Sequence, residues 1–311
     1  MSLALSASAL AELPVEAAQR GGGSDALRQA TQLMSEGKTP EALTAIRREL
    51  ETNPVSMQAA NLLDVLGATA EARRVFQRAI DAAASPAARA GAQRSMAMSY
   101  AFDGDCANTT RYEEQVIAYW VTREQAEPQN AFYQQGEMAN EAARVCIDAG
   151  DVDAAERLYR RGTELGLKEP GNLTHPKSLW QFRLAHALAR VAARRGHAAE
   201  AQQQVAAARR ALDSDREMAG AQERFFPYLV GYVALYTNDL RTAESELTKA
   251  LQTSGNQSDP FMHALLGMTY EKRGNAARAR ELFQRAYDLS TAHNPPAAFT
   301  RPFARGKLNL R

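Results

Sequence analysis

Arg183, His186, Arg190 and Arg194 stand at intervals of three, four and four, so one face of the helix that carries them holds three guanidinium groups and an imidazole. Like charges aligned in this way repel. An anion relieves the repulsion by accepting charge-assisted hydrogen bonds from them. The same intervals recur upstream in Glu137, Asn140, Arg144 and Asp148, downstream in Phe225, Tyr228, Tyr232 and Tyr236, and again in Phe261, Ala264, Met268 and Lys272. A cationic stripe beside rings that carry hydroxyls suits a peptide with acidic character. Each stripe also has an ordinary reading, as a solvated charged face or as an apolar core face, and both readings stand at this point.

Other chemistry finds no support in the spacing. The five histidines, His175, His186, His197, His263 and His293, never stand in the His-Glu-x-x-His arrangement of zinc hydrolases. The chain contains no Gly-x-Ser-x-Gly elbow and no phosphate-cradling Gly-rich loop. Asp148, Asp151 and Asp153 in "DAGDVDAAE" resemble the start of a calcium loop but lack its glycine and terminal glutamate, and helix capping accounts for them. The expectation is a non-enzymatic chain with no cofactor and no metal site.

Composition bounds the partners. The 311 residues carry a net charge of +1, which argues against a nucleic-acid binder, because such affinity is mostly phosphate neutralisation. No run reaches the roughly 18 apolar residues of a membrane span. Apolar residues make up 45% and aromatics only 7%, so the core leans on Ala and Leu, which favours close-packed helices over sheet.

Those helices announce themselves as a repeat. Seven positions fit a helix-terminating turn: Gly37, Gly67, Gly104, Gly150, Gly196, Asn238 and Gly274. Seven residues before each stands Ala30, Ala60, Ala97, Ala143, Ala189, Gly231 or Gly267; five after each stands Ala42, Ala72, Thr109, Ala155, Ala201, Ala243 or Ala279. Nine after come Ile46, Phe76, Glu113, Tyr159, Val205, Leu247 and Phe283, mostly large and apolar. Twelve after, the residue is again mostly small, as at Gly162 and Ala286. A turn position must accept a left-handed backbone, which Gly and Asn do best. Small residues on either side let two antiparallel helices approach closely, and the large residue fills the space between hairpins. Thr109 and Glu113 break the third copy, and Glu49 breaks the first. "VTREQAEPQN" and "KEPGNLTHPKS" read as inserted surface connections.

This pattern resembles the tetratricopeptide repeat family, and the last copy does so most closely through Leu266, Gly267, Tyr270, Ala279, Phe283 and Ala286. The resemblance implies an all-α, right-handed superhelical solenoid of about seven hairpins over residues 23–293, with a concave face lined by the first helix of each hairpin. Residues 1–22 read as a leader or flexible segment, with Ala9-Leu10-Ala11 as a possible cleavage site but no basic stretch before it. Residues 294–311, "NPPAAFTRPFARGKLNLR", read as a cap or a loose tail. As a cap, a short helix begins at Asn294–Pro296, Phe299 and Phe303 cover the last hairpin, and Pro302 limits its length.

In such an array Cys106, just after the third turn, and Cys146, four residues before the fourth, fall at the same end of neighbouring antiparallel helices. They are expected to form a disulfide or to lie close; two buried free thiols are the alternative. A disulfide implies an oxidising compartment, so a periplasmic or secreted location is expected, with a cytoplasmic one the alternative. The stripes then become the lining of the concave groove. The expected role is a protein-interaction scaffold that grips an extended or acidic segment of a partner, using Asn140, Arg144, Arg183, His186, Arg190 and Arg194 for the anion and Tyr228, Tyr232 and Tyr236 for apolar or peptide groups. A ligand-sensing or regulatory module of a larger system is the alternative, and a closed pocket between the fifth and sixth copies favours it.

Overall fold

Every expected turn position takes the left-handed backbone: φ runs from 66° at Asn238 to 97° at Gly150 across all seven. The residue after each turn donates its N–H to the carbonyl five residues earlier, at 2.8–3.0 Å in every copy, as in Asp151 to Cys146 and Asn275 to Tyr270. Asn238 fills this role without glycine because asparagine tolerates positive φ better than most residues.

The computed structural model describes residues 24–171 and 174–310. The expected leader at 1–22 lies outside the described residues. Seven helical hairpins follow one another: α1 (Asp25–Ser35) with α2 (Thr39–Thr52), α3 (Met57–Val65) with α4 (Thr69–Asp81), α5 (Pro86–Ala101) with α6 (Cys106–Val121), α7 (Pro128–Ala149) with α8 (Val152–Gly166), and α9 (Lys177–Arg194) with α10 (Ala198–Ser214). A short α11 (Arg216–Gln222) and a 3-10 turn (Glu223–Phe225) lead into α12 (Phe226–Tyr236) with α13 (Leu240–Gln252); α14 (Pro260–Lys272) with α15 (Ala276–Leu289) completes the series, and α16 (Pro295–Leu308) ends it. No strand occurs among the described residues. The chain starts and stops these helices by local chemistry. Side-chain oxygens of Asp105, Asp151, Asp239 and Asn275 cap second helices, and Pro86, Pro128 and Pro260 open first helices.

The small-residue columns form the seams. All residues seven before and five after the turns are buried. In the last two copies the large residue lies directly on the seam glycine: a Cβ on Gly231 would stand 2.6 Å from the Leu247 side chain, and one on Gly267 would stand 2.6 Å from the Phe283 ring. The third copy keeps this register despite its polar residues. Thr109 is buried and donates its hydroxyl to the carbonyl of Ala97, its partner across the seam, at 3.2 Å.

Glu113 is 1% exposed, and neither carboxylate oxygen has a hydrogen-bond partner. Burial first, and then the Glu141 charge beside it, hold its carboxyl well above the usual range despite nearby Arg94. A raised folded-state pKa means that the neutral acid fits the fold, so stability is fully present below the unfolded value and is lost as pH rises through the folded one. Glu113→Gln is therefore expected to out-stabilise the native chain by a margin that widens with rising pH in urea denaturation. A margin independent of pH would contradict a protonated Glu113.

The C-terminal segment departs from expectation. It is not a loose tail, and Pro302 does not end the helix: α16 runs on to Leu308 with Pro302 inside it. Proline removes the N–H that would reach the Ala298 carbonyl, but packing on either side holds the helix together. Phe299 stacks on Phe303 at 5.2 Å, Phe303 meets Phe283 edge-on at 5.7 Å, and Ala304 and Leu308 are buried beyond the proline. Besides covering the last hairpin, α16 turns into the hollow and packs on α3, α5 and α7. The His293 Nε2 lies 2.8 Å from Asp64 Oδ2, and Arg301 Nε donates to the Val65 carbonyl at 2.8 Å. The chain's end thus closes onto its second hairpin, and α16 occupies part of the concave face.

Candidate cavity on the inner face

The helical intervals bring together much of the expected site. Inside the hollow, α7, α9, α12 and α14 surround a cavity of about 340 Å³. Asn140, Arg144, Arg183, His186, Arg190 and Tyr228 all line it, together with Glu137, Phe225 and Phe261 from the same stripes. Arg194, Tyr232 and Tyr236 do not. Tyr232 is fully buried and stands in the core, with its hydroxyl accepting a hydrogen bond from Arg194 at 3.4 Å. The Arg194 guanidinium also lies over the Tyr236 ring, 4.9 Å from its centre. These three residues therefore hold one another beside the cavity rather than facing into it.

The charges in the wall are unequally matched. Arg183 pairs with Glu137. Arg144 donates to Asp148 at 3.0 Å and lies over the Phe261 ring at 4.1 Å. Burial raises the Asp148 carboxyl against the pull of Arg144, Arg190 and Arg194, so these cations share one reluctant carboxylate. Arg190 is 6% exposed, and its hydrogen bonds go only to phenols: Tyr159 at 3.0 Å and Tyr228 at 3.4 Å. Its Nε is buried without a hydrogen-bond partner. A buried cation held by neutral acceptors and carrying an unmet donor is a costly arrangement that an anion would relieve. Next to it, burial and then the charges of Arg190 and Arg144 push the His186 imidazole well below its ordinary range, so it is neutral at pH 7. Its Nε2 is also buried and unpartnered.

The sequence left Tyr159 among the residues that merely fill space between hairpins. Its signal was the hydroxyl, alone in a column of Phe, Leu, Val and Ile apart from Glu113, because a buried phenol needs a partner. Phe182, Gln222, Asp259, Met262 and Pro296 complete the lining. Asp259 was identifiable only as a helix cap. Pro296 comes from α16 and could not be placed here without knowing where that helix goes.

Cys106 and Cys146 are joined by a disulfide, with Cα atoms 4.7 Å apart. The bond fixes the α5–α6 turn against the end of α7, two residues before Asp148. No helix among the described residues is long and apolar enough to cross a membrane.

Residues 262–293, which span α14 and α15, match the family model for the tetratricopeptide repeat. They form a tetratricopeptide repeat. The six earlier hairpins share its turn, its seams and its helix order, so the all-α solenoid of helical pairs extends over the described array. None of the curated proteins matches the sequence. Among solved structures, the crystal structure of the P58(IPK) TPR domain matches over 91% of this chain and 97% of its own, at 13% identity and a TM-score of 0.32. A superposition that loose says nothing about curvature or ligand.

Proposed function

We propose that this chain is a non-enzymatic, protein-binding scaffold that takes an acidic group of its partner, a side-chain or terminal carboxylate, into the inner cavity. Arg190 supplies the unmet donor, Arg144 and Arg183 flank it, Asn140 and His186 line the approach, and Tyr228 offers an apolar wall. The supporting observation is Arg190 itself, buried, without a carboxylate among its hydrogen bonds and with Nε unpartnered. At about 340 Å³ the cavity admits a side chain or short terminus rather than a long segment. Arg194, Tyr232 and Tyr236 act through position, steadying the helices that carry the site.

The test is fluorescence anisotropy with labelled octaglutamate, with octaglutamine as the neutral control. The native chain is expected to prefer octaglutamate. Arg190→Gln is expected to cost about 2 kcal/mol, roughly thirtyfold in affinity, the scale of a charge-assisted hydrogen bond. Equal binding of the two peptides, or an unaffected variant, would contradict the reading. A bound carboxylate also favours the imidazolium, so affinity is expected to rise as pH falls below neutrality, and His186→Phe is expected to flatten that rise. The sign follows from the depressed value in the free chain, because the ligand's negative charge raises it.

A second reading, a sensory or regulatory module for a small anionic effector, draws on the share of the cavity lining that comes from α12, α14 and Pro296. Binding of N-acetylglutamate with no binding of octaglutamate would favour it. The Cys106–Cys146 bond supports a periplasmic or secreted location, which mass spectrometry of the disulfide in protein from its native cells would check.

A further inference from the structure

The groove that a long partner segment would need is already occupied. α16 lies along α3, α5 and α7, and its Pro296 stands on the rim of the Arg190 cavity. We infer that α16 is an autoinhibitory occupant of the hollow, latched to the second hairpin, and that an acidic segment longer than the cavity binds by displacing it. The inference rests on the reading of the Arg190 cavity as an anion site and adds its regulation.

Three observations carry it. First, the latch is local. His293 reaches Asp64, which also accepts a hydrogen bond from Ser99 at 2.8 Å, and Arg301 reaches the Val65 carbonyl, so two adjacent residues of the second hairpin hold the segment. Second, α16 fits the hollow imperfectly. A cleft of about 230 Å³ remains between Pro295, Ala298, Phe299, Pro302 and Phe303 on one side and Phe102 and Val145 on the other. Third, α16 buries polar groups in these contacts, and one of them is left unmet. Arg301 is 7% exposed, and its hydrogen bonds go to neutral oxygens, the Val65 and Tyr287 carbonyls and the Tyr287 hydroxyl. The Thr300 hydroxyl oxygen is buried with no partner. An element that leaves a gap and buries an unmet hydroxyl is one that a better-matched segment can replace.

The two probes separate the gate from the site. N-acetylglutamate is small enough for a cavity of about 340 Å³, whereas octaglutamate is longer than the cavity and is expected to need α16 to move. Arg301→Ala is expected to tighten octaglutamate about tenfold, by raising the fraction of chains with the groove open, and to leave N-acetylglutamate unchanged. Arg301→Lys is expected to restore part of the latch, and Asp64→Asn offers an isosteric route should the alanine variant fold poorly. In the native chain, octaglutamate is expected to speed backbone hydrogen exchange in α16, whereas N-acetylglutamate is not. Octaglutamate that binds the native and latch variants equally would overturn the gate while leaving the cavity intact, provided N-acetylglutamate still binds and Arg190→Gln weakens it. Failure of both probes to bind would overturn the cavity reading and the gate together.

Discussion

Replacing Cys106 and Cys146 together by serine is expected to lower the stability of the chain by roughly 4 kcal/mol, the loop-entropy value for a bond closing a 40-residue separation. The bond does not join distant parts of the array. It ties the third hairpin's turn to the last turn of α7, where successive hairpins already touch, so most of its effect is expected through the unfolded chain. Part should also be felt at the site: Asp148, two residues beyond Cys146, holds the Arg144 guanidinium. Urea denaturation of the double variant beside the native chain, with and without reductant, checks this. The reduced native chain should match the variant, and equal midpoints for the oxidised native chain and the variant, at equal slopes, would contradict it.

The second large effect is expected at a seam. Gly162→Val should cost about 3 kcal/mol or more, the upper end of what overpacking does. A Cβ at position 162 would stand 2.8 Å from the Gly136 carbonyl and 2.6 Å from Asn140 Oδ1. The first neighbour is backbone and cannot step aside, so α7 and α8 must part. The second lines the cavity, so the same substitution should also weaken octaglutamate. Gly220→Ala is the contrast. It lies in α11 with nothing within 4 Å of where its Cβ would stand, so alanine there is expected to be neutral or to stabilise by about 0.5 kcal/mol through backbone entropy. Thermal melts of the two variants that coincide would mean that the seams do not set how closely the helices approach.

What the sequence disclosed and what it hid divide along a physical line. Asn238 and the six turn glycines were legible because a left-handed backbone is a local requirement that few residues meet. Ala97 and Thr109, or Gly267 and Phe283, were legible because a hairpin joins residues a fixed short distance apart. The pairing of Cys106 with Cys146 followed from order, since neighbours in the array are neighbours in the chain. The inner stripes came from helical intervals, which place Arg190, Arg144 and Tyr228 on one face but do not say how deep each lies; Tyr232 shares the spacing of Tyr228 and yet stands in the core. The return of α16 was not legible at all. His293 and Asp64 are 229 residues apart, and their meeting depends on the accumulated rotation of the hairpins between them, which no local pattern encodes. Pro302 misled for the opposite reason: the local rule is sound, but the packing of Phe299, Phe303 and Leu308 outweighs it.

A crystal structure of the chain with octaglutamate bound would show directly whether Arg190 holds a carboxylate. A carboxylate oxygen is expected about 3 Å from Arg190 Nε, with Arg144 and Arg183 beside it. A peptide lying on the outer helices, with Arg190 still bonded only to Tyr159 and Tyr228, would contradict it.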